Sequence, residues 1–230
     1  MPLYGKKVIG TVSYMGGVIS VPEAFCNSWG KLVQWNSEYF CEGNETLLYD
    51  RVGVSYHAYA RNCLVEKMKG DFLLMLDTDI VFDPDLLGRM INCMNKHKID
   101  VLAGLYCYKA PPHSPVLYHW NKESEAFQPI GDWDKTAEIF EVGSSGAGCL
   151  LVKKSVYQRI KDELNEGPFD IINPWSEDHS FFRRLTKLGI KAYCNPNIYV
   201  SHISLKPIGL EDYDKNDVVL SDKYEVGGFL

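Results

Sequence analysis

The segment Asp71-Phe-Leu-Leu-Met-Leu-Asp77-Thr78-Asp79 constrains the fold more than any other part of the chain, because an unbroken apolar run stops at two carboxylates two residues apart. A strand covered by protein on both faces reads as a continuous hydrophobic run, whereas a half-exposed strand alternates. Open parallel sheets bind ligands beyond the carboxyl ends of their strands, so Asp77 and Asp79 are expected at a ligand. At a strand's period of two the pair points to one side, where a divalent cation and a nucleotide can be shared between them. Spacing alone has no force, since Asp83-Pro-Asp85, Asp132-Trp-Asp134 and Asp212-Tyr-Asp214 repeat it.

The flanking pattern supplies the context. Residues 6–14 read as a first strand, followed by Gly16-Gly17 and by Ser20-Val-Pro-Glu23, a capping-box pattern that starts a helix with Phe25, Trp29 and Leu32 on its core stripe. Residues 46–50 read as a second strand, and about Ser55 to Met68 as a second helix closed by Gly70. Asp83-Pro84-Asp85 reads as an N-cap with proline in the first turn, ahead of Leu86, Leu87, Met90, Ile91 and Met94 on one face. With a further strand over about Asp100–Tyr108, the alternation predicts an α/β fold with a mainly parallel central sheet flanked by helices.

From Lys109 onward Pro111-Pro112, Pro115, Asn121, Gly131 and Asp132 break the chain into a smaller, mixed region of short strands and loops. Residues 138–142 and 148–153 read as strands joined by Gly143-Ser-Ser-Gly146-Ala147-Gly148, which serves either as backbone closely approached by a ligand or as a plain turn. Ser176-Glu177-Asp178-His179 opens a helix with Asp178, Phe181, Phe182, Leu185 and Leu188 on its inner face and Gly189 as its stop. Glu177, about 100° around, is expected to be the charge that complements the helix dipole. Strand segments over Ile190–Ile203 end at His202, and an acidic tail follows from Leu205.

At 230 residues and 46% hydrophobic content the chain is expected to form one globular domain. No stretch approaches the roughly 20 apolar residues of a membrane span, and Met1-Pro-Leu-Tyr-Gly-Lys-Lys lacks the apolar region of a signal peptide, so a cytoplasmic location is expected. Seven cysteines without a Cys-x-x-Cys pair argue against a zinc knuckle and a disulfide framework. The net charge of −6 gives no global attraction to nucleic acid, although Lys153, Lys154, Arg183, Arg184, Lys187 and Lys191 leave room for a local basic surface.

Taken in order, Ala60-Arg61-Asn62, Leu76-Asp-Thr-Asp-Ile80, Gly143–Gly148, Trp175-Ser-Glu-Asp-His179-Ser-Phe-Phe-Arg-Arg-Leu185, Lys187-Leu-Gly189 and Ser201-His202 resemble a glycosyltransferase of the GT-A fold, near family 2, across most of residues 6–203. The resemblance implies a single GT-A (Rossmann-like) domain over 1–204, with a nucleotide-sugar-binding half to about 108, an acceptor and catalytic half over about 109–204, and a tail or lid over 205–230. It implies a nucleotide-sugar donor, a UDP-sugar in our reading, and Mn²⁺ or Mg²⁺ as cofactor. Asp77 matches the carboxylate near the donor ribose, with Thr78 between it and Asp79, which matches the metal ligand. His202 matches a late histidine that ligates the metal in some relatives, and an imidazole ligand favours manganese; the alternative is a hydrogen-bonded structural histidine.

Asp178 matches the catalytic base of inverting members, against the alternative of a helix cap, with Glu177 as substitute. Arg61 matches an arginine close to the donor, where a guanidinium can hold phosphate oxygens, against a solvated helix charge. Lys109 is a second diphosphate ligand, and Thr11, Ser13 and Tyr14 lie where this fold holds the nucleobase. Gly146 and Ala147 belong to the loop that can approach the donor, and Trp133 and Trp175 offer faces for acceptor sugars. The acceptor stays open between a glycan, a protein, a lipid-linked sugar and a modified base in DNA. Alternatives are a retaining transferase, a non-catalytic carbohydrate-binding protein and a sugar-phosphate nucleotidyltransferase; the region Ser13–Ser20 lacks the basic residue that the last would need.

Overall fold

Alternation of apolar strands with amphipathic helices builds the first half of the molecule in the computed structural model, which describes residues 7–16, 21–39, 45–53, 56–134, 136–204 and 207–208. The order is β1 (Lys7–Gly16), α1 (Glu23–Tyr39), β2 (Glu45–Gly53), α2 (His57–Lys67), β3 (Phe72–Asp77), β4 (Ile80–Val81), α3 (Leu86–His97) and β5 (Val101–Leu105). Short strands follow: β6 (Leu117–Asn121), β7 (Ala126–Pro129), β8 (Phe140–Val142), β9 (Ser144–Ser145) and β10 (Cys149–Lys153). The chain continues with α4 (Lys154–Arg159), widening into a π turn over Ile160–Leu164, then α5 (Glu177–Lys187), β11 (Ala192–Tyr199), β12 (Ser201–Ile203) and β13 (Pro207–Ile208). Ser20 of the capping-box pattern, Gly17 and the tail beyond Ile208 lie outside the described residues.

The central sheet has the order β2-β1-β3-β10-β5-β11-β8. β2, β1, β3, β5 and β11 run one way, while β10 is antiparallel to both β3 and β5, and β8 is antiparallel to β11. The protein is therefore an α/β fold with a mostly parallel sheet flanked by helices. The apolar run of β3 is unbroken because both faces are covered: Leu74 and Leu76 join Phe25, Leu32, Leu86 and Met90 on the α1–α3 side, while Leu73 and Met75 join Leu64, Val156, Phe181 and Phe182 on the α2–α4–α5 side. At about 25 cal/mol per Å², two-sided burial of such residues is the dominant stabilising contribution.

One local expectation is corrected. The residues Asp83 and Asp85 make no side-chain cap to α3; they grip Arg89 instead, at 3.2 Å each, because Arg89 reaches back one turn toward them. Gly70 closes the α2–β3 link at φ 79°, a left-handed conformation that glycine adopts without steric cost.

Two smaller sheets sit at the carboxyl end of the main one. In β13-β12-β4, His202 pairs with Ile80, and Ile203 N donates to Asp79 O at 2.6 Å. In β7-β6-β9, the β6–β7 hairpin is laid against Ser144 and Ser145. Both sheets gather chain segments distant in sequence around the tip of β3.

Candidate active site

Asp77 ends β3, with its N–H donated to Gly148 O at 2.9 Å. The 143–148 segment is thus packed against the acid, and a Cβ at Gly148 would lie 3.0 Å from both Asp77 Oδ2 and the Tyr106 hydroxyl. The Tyr106 hydroxyl accepts a hydrogen bond from Gly148 N at 3.1 Å. Burial first, and then the neighbouring Asp77 and Asp178, push this phenol well above its ordinary range, so it stays a neutral hydroxyl.

Arg61, expected near donor phosphates, is only 3% exposed and faces the protein. Its Nη2 donates to Asp77 Oδ1 at 3.0 Å, its Nη1 to Ala147 O at 3.1 Å, and its Nε to Glu177 Oε1 at 3.3 Å. Burial opposes its charge, but Asp77 and Glu177, with Asp178 and Tyr106 behind them, outweigh that opposition and raise its pKa. One side chain therefore ties together the tip of β3, the 143–148 loop and the first residue of α5. Its neighbour Asn62 clips the loop before α5, donating to Asp170 Oδ1 at 2.8 Å and accepting from Phe169 N at 2.9 Å. The adjacent residues of the Ala60-Arg61-Asn62 motif thus fix both ends of that segment.

Glu177 turns inward to Arg61, with 14% of its side chain exposed, rather than acting as the surface charge of the helix dipole. The two first-turn acids differ by about 100° of helix rotation, and a buried cation from α2 decides which of them turns in. Asp178 is half-buried at the edge of the cleft. Its Oδ1 accepts from the Ser176 hydroxyl in a short hydrogen bond and from His179 N at 2.7 Å. Among the described residues no hydrogen bond or ion pair engages Oδ2. Tyr106, Tyr108 and Tyr118 all feel its charge, and the Tyr108 and Tyr118 hydroxyls share a short hydrogen bond. The anion is supported by the helix N-terminus it occupies.

Asp79 lies beyond the strand, with Oδ2 at 2.5 Å from Lys109 Nζ; Thr78 separates it from Asp77. His202 bonds through Nδ1 to Cys107 O, and its ring meets the edge of Tyr106. A backbone carbonyl as partner makes Nδ1 the protonated nitrogen and leaves the Nε2 lone pair, the arrangement of a metal-binding imidazole. Among the described residues no three His, Cys, Asp or Glu side chains converge as a preformed metal site. Asp79 and His202, brought together by the β4–β12 pairing, nevertheless fit an ion that takes one or two protein ligands and completes its shell with phosphate oxygens.

In the region expected to hold the nucleobase the Thr11 hydroxyl donates to Lys69 O and accepts from Lys69 N. Among the described residues the Ser13 hydroxyl is buried without a hydrogen-bond partner, and the Tyr14 ring packs on Phe25 and Trp29. Gly146 and Ala147 are buried against the Tyr106 and Arg61 side chains, respectively. Trp133 stacks on Phe140 and lines a cavity of about 390 Å³ with His119, Asp132, Asp134 and Glu141, none of them a residue of the acid cluster. Trp175 instead joins Trp120 and Phe127, 6.0 and 6.1 Å away, beside α5.

His179 neither orients Asp178 through its ring nor faces solvent. Its Nδ1 is 2.6 Å from Ser144 Oγ, its ring stacks on Phe127, and burial holds its pKa below the usual value. Ser144, Tyr106, Tyr118 and the Trp120–Phe127 pair were not singled out as site residues by sequence. Trp175, expected as a face for acceptor sugars, is the residue of this side of the cleft that the sequence singled out.

An α/β sheet that carries an Asp-x-Asp pair to a strand tip, facing a Glu-Asp pair at a helix start, has the layout of a GT-A glycosyltransferase. Residues 39–149 match the family model described as glycosyl transferase family 2, and in fold and in that match the chain is similar to glycosyltransferases of this kind. The match takes in Arg61, Asp77, Asp79, Lys109 and the 143–148 loop and ends before Glu177, Asp178 and His202. The solved structure described as "Crystal Structure of A197 from STIV" is similar in fold, with a TM-score of 0.53 and 18% identity over 84% of this chain and 85% of that chain. No curated protein matches the chain. Among the described residues no helix is long and apolar enough to cross a membrane.

Proposed function

We propose that the protein transfers a sugar from a nucleotide-sugar, in our reading a UDP-sugar, to an acceptor hydroxyl by direct displacement with inversion. The observation that carries this reading is the division of labour in the first turn of α5: Glu177 is locked to Arg61, while Asp178 keeps one carboxylate oxygen open. Asp178 Oδ2 takes the acceptor's proton as its oxygen bonds to the anomeric carbon. The bond from that carbon to the donor's phosphate oxygen breaks, and the electron pair leaves with the nucleoside diphosphate.

Asp79 and His202 would hold Mn²⁺ or Mg²⁺, whose charge stabilises the departing diphosphate when the ion is bound. Lys109, within reach of Asp79, adds a flexible cation that can turn to a phosphate oxygen. Asp77 receives the donor ribose on a carboxylate held by Arg61. The Ser13 hydroxyl and the backbone of β1 lie on the nucleobase side. The Tyr106 hydroxyl and the close-packed 143–148 loop limit water around the reacting carbon.

The test is the anomeric configuration of the product, followed by proton NMR during turnover. Inverted product that Asp178→Asn no longer forms supports the reading. Retention of configuration removes Asp178 as base for a single displacement.

A further inference from the structure

Arg183 lies on α5, four residues after His179 and five after Asp178, so it stands about 7.5 Å further along the helix axis than the proposed base. Its guanidinium carbon is 3.9 Å above the Trp120 ring and 5.4 Å from the Trp175 ring. Among the described residues no carboxylate pairs with it, and its buried Nε has no hydrogen-bond partner. A cation held on indole faces keeps its N–H edges available, and a buried N–H without an acceptor calls for an explanation. The half-buried Trp120 and Trp175 flank it, and Phe127 packs on both rings to form one contiguous aromatic wall that reaches back to His179 and thus to Asp178.

Resting on the transferase reading above, we propose that this wall is the acceptor subsite and that it takes an anionic sugar, its ring against the indoles and its carboxylate or phosphate on the N–H edge of Arg183. The planar fork of a guanidinium matches both groups in bidentate fashion. The reacting hydroxyl then lies at Asp178 and the anionic group one helix turn and more away, so Arg183 orients the acceptor without touching the reacting atoms.

The charge pattern favours an acidic glycan over nucleic acid. Of the basic residues that left room for a polyanion surface, Lys153 pairs with Asp100, Arg184 is buried on Glu166, and Lys191 pairs with Glu141. Lys187 lies 3.9 Å from Glu166 as well. A phosphate backbone needs a track of free cations, whereas a single acidic sugar needs one.

Isothermal titration of the full chain with methyl β-glucuronide, methyl β-glucoside, methyl β-glucoside 6-phosphate and a short single-stranded oligonucleotide tests this directly. At least one anionic sugar is expected to bind about tenfold or more tighter than the neutral glucoside, the gain from a charged hydrogen-bonded pair. That ratio should collapse in Arg183→Leu and be partly retained in Arg183→Lys, which keeps the charge if the leucine variant misfolds; circular dichroism reads the folding of both. Comparison of the two anionic sugars decides between carboxylate and phosphate. Equal binding of charged and neutral sugars, a preference that survives Arg183→Leu, or Arg183-dependent binding of the oligonucleotide above both sugars overturns the proposal. Release of nucleoside diphosphate, followed separately, keeps the two readings apart: charge-selective binding without donor turnover removes the transferase and leaves the subsite.

Discussion

On the proposed donor side of the cleft Arg61 is buried among two carboxylates and a carbonyl, whereas on the proposed acceptor side Arg183 lies on indole rings with no carboxylate paired to it among the described residues. The first cation is held by groups that also need it, so removing it leaves two half-buried carboxylates unpaired. The second is held by aromatic faces that are content without it. The difference follows from the elements that carry the two regions. The donor side is built on tips of central strands, whose direction and spacing are fixed by two-sided burial. The acceptor side is built on a short hairpin and a loop, where side-chain packing has to supply the order.

This contrast can be broken in several ways. The largest effect is expected from Asp178→Asn, which removes the proposed base and should lower kcat by about 10²–10⁴ while leaving donor affinity in place. Steady-state kinetics with a donor titration check this, and comparable losses in kcat and donor affinity would make Asp178 a donor ligand instead. Next, Arg61→Met should destabilise the fold by about 3 kcal/mol, because the half-buried Asp77 and Glu177 lose the buried cation that pairs with both. Urea denaturation reads this, and a loss below about 1 kcal/mol would show that the ionic hub is solvated rather than buried.

Much of the donor side was legible in the sequence because it depends on local rules. The run Phe72–Leu76 announces two-sided burial, and the pair that ends it lies at a strand tip. The antiparallel course of β10 between β3 and β5 was not legible, since a buried strand has the same pattern in either direction. The exchange of Glu177 for Asp178 as the inward acid was equally hidden. Helical periodicity places both near the cleft, and the choice between them is made by an arginine 116 residues earlier in the chain. The aromatic wall escaped for a similar reason: Trp120 and Phe127 face each other through the hairpin register, and the packing of that hairpin on the start of α5 brings them beside Trp175 and Arg183.

Smaller effects sharpen the acceptor side. Trp175→Ala should raise the acceptor KM about tenfold, equivalent to about 1.4 kcal/mol, with kcat little altered. A fall in kcat at unchanged KM would assign Trp175 to support of the Glu-Asp helix start instead. Smallest of all, His179 should make stability depend on mild acid. Its folded pKa is depressed by burial, so the folded state binds fewer protons than the unfolded state just below the ordinary value of about 6.5. Stability from this group is fully present above that value and is lost as pH falls toward the depressed one. Melting temperatures between about pH 7.5 and 5 should therefore drop more steeply for the native chain than for His179→Gln; parallel curves would mean that the imidazole is accessible to water and charges freely.

The most direct test of the central claim is release of nucleoside diphosphate from a panel of nucleotide sugars with Mn²⁺, with Mg²⁺ and with EDTA, comparing the native chain with Asp79→Ala. The expected result is turnover of one donor, a UDP-sugar, that requires both the ion and Asp79. Absence of turnover together with absence of metal-dependent binding of every donor would contradict it and leave a carbohydrate-binding protein on a transferase fold.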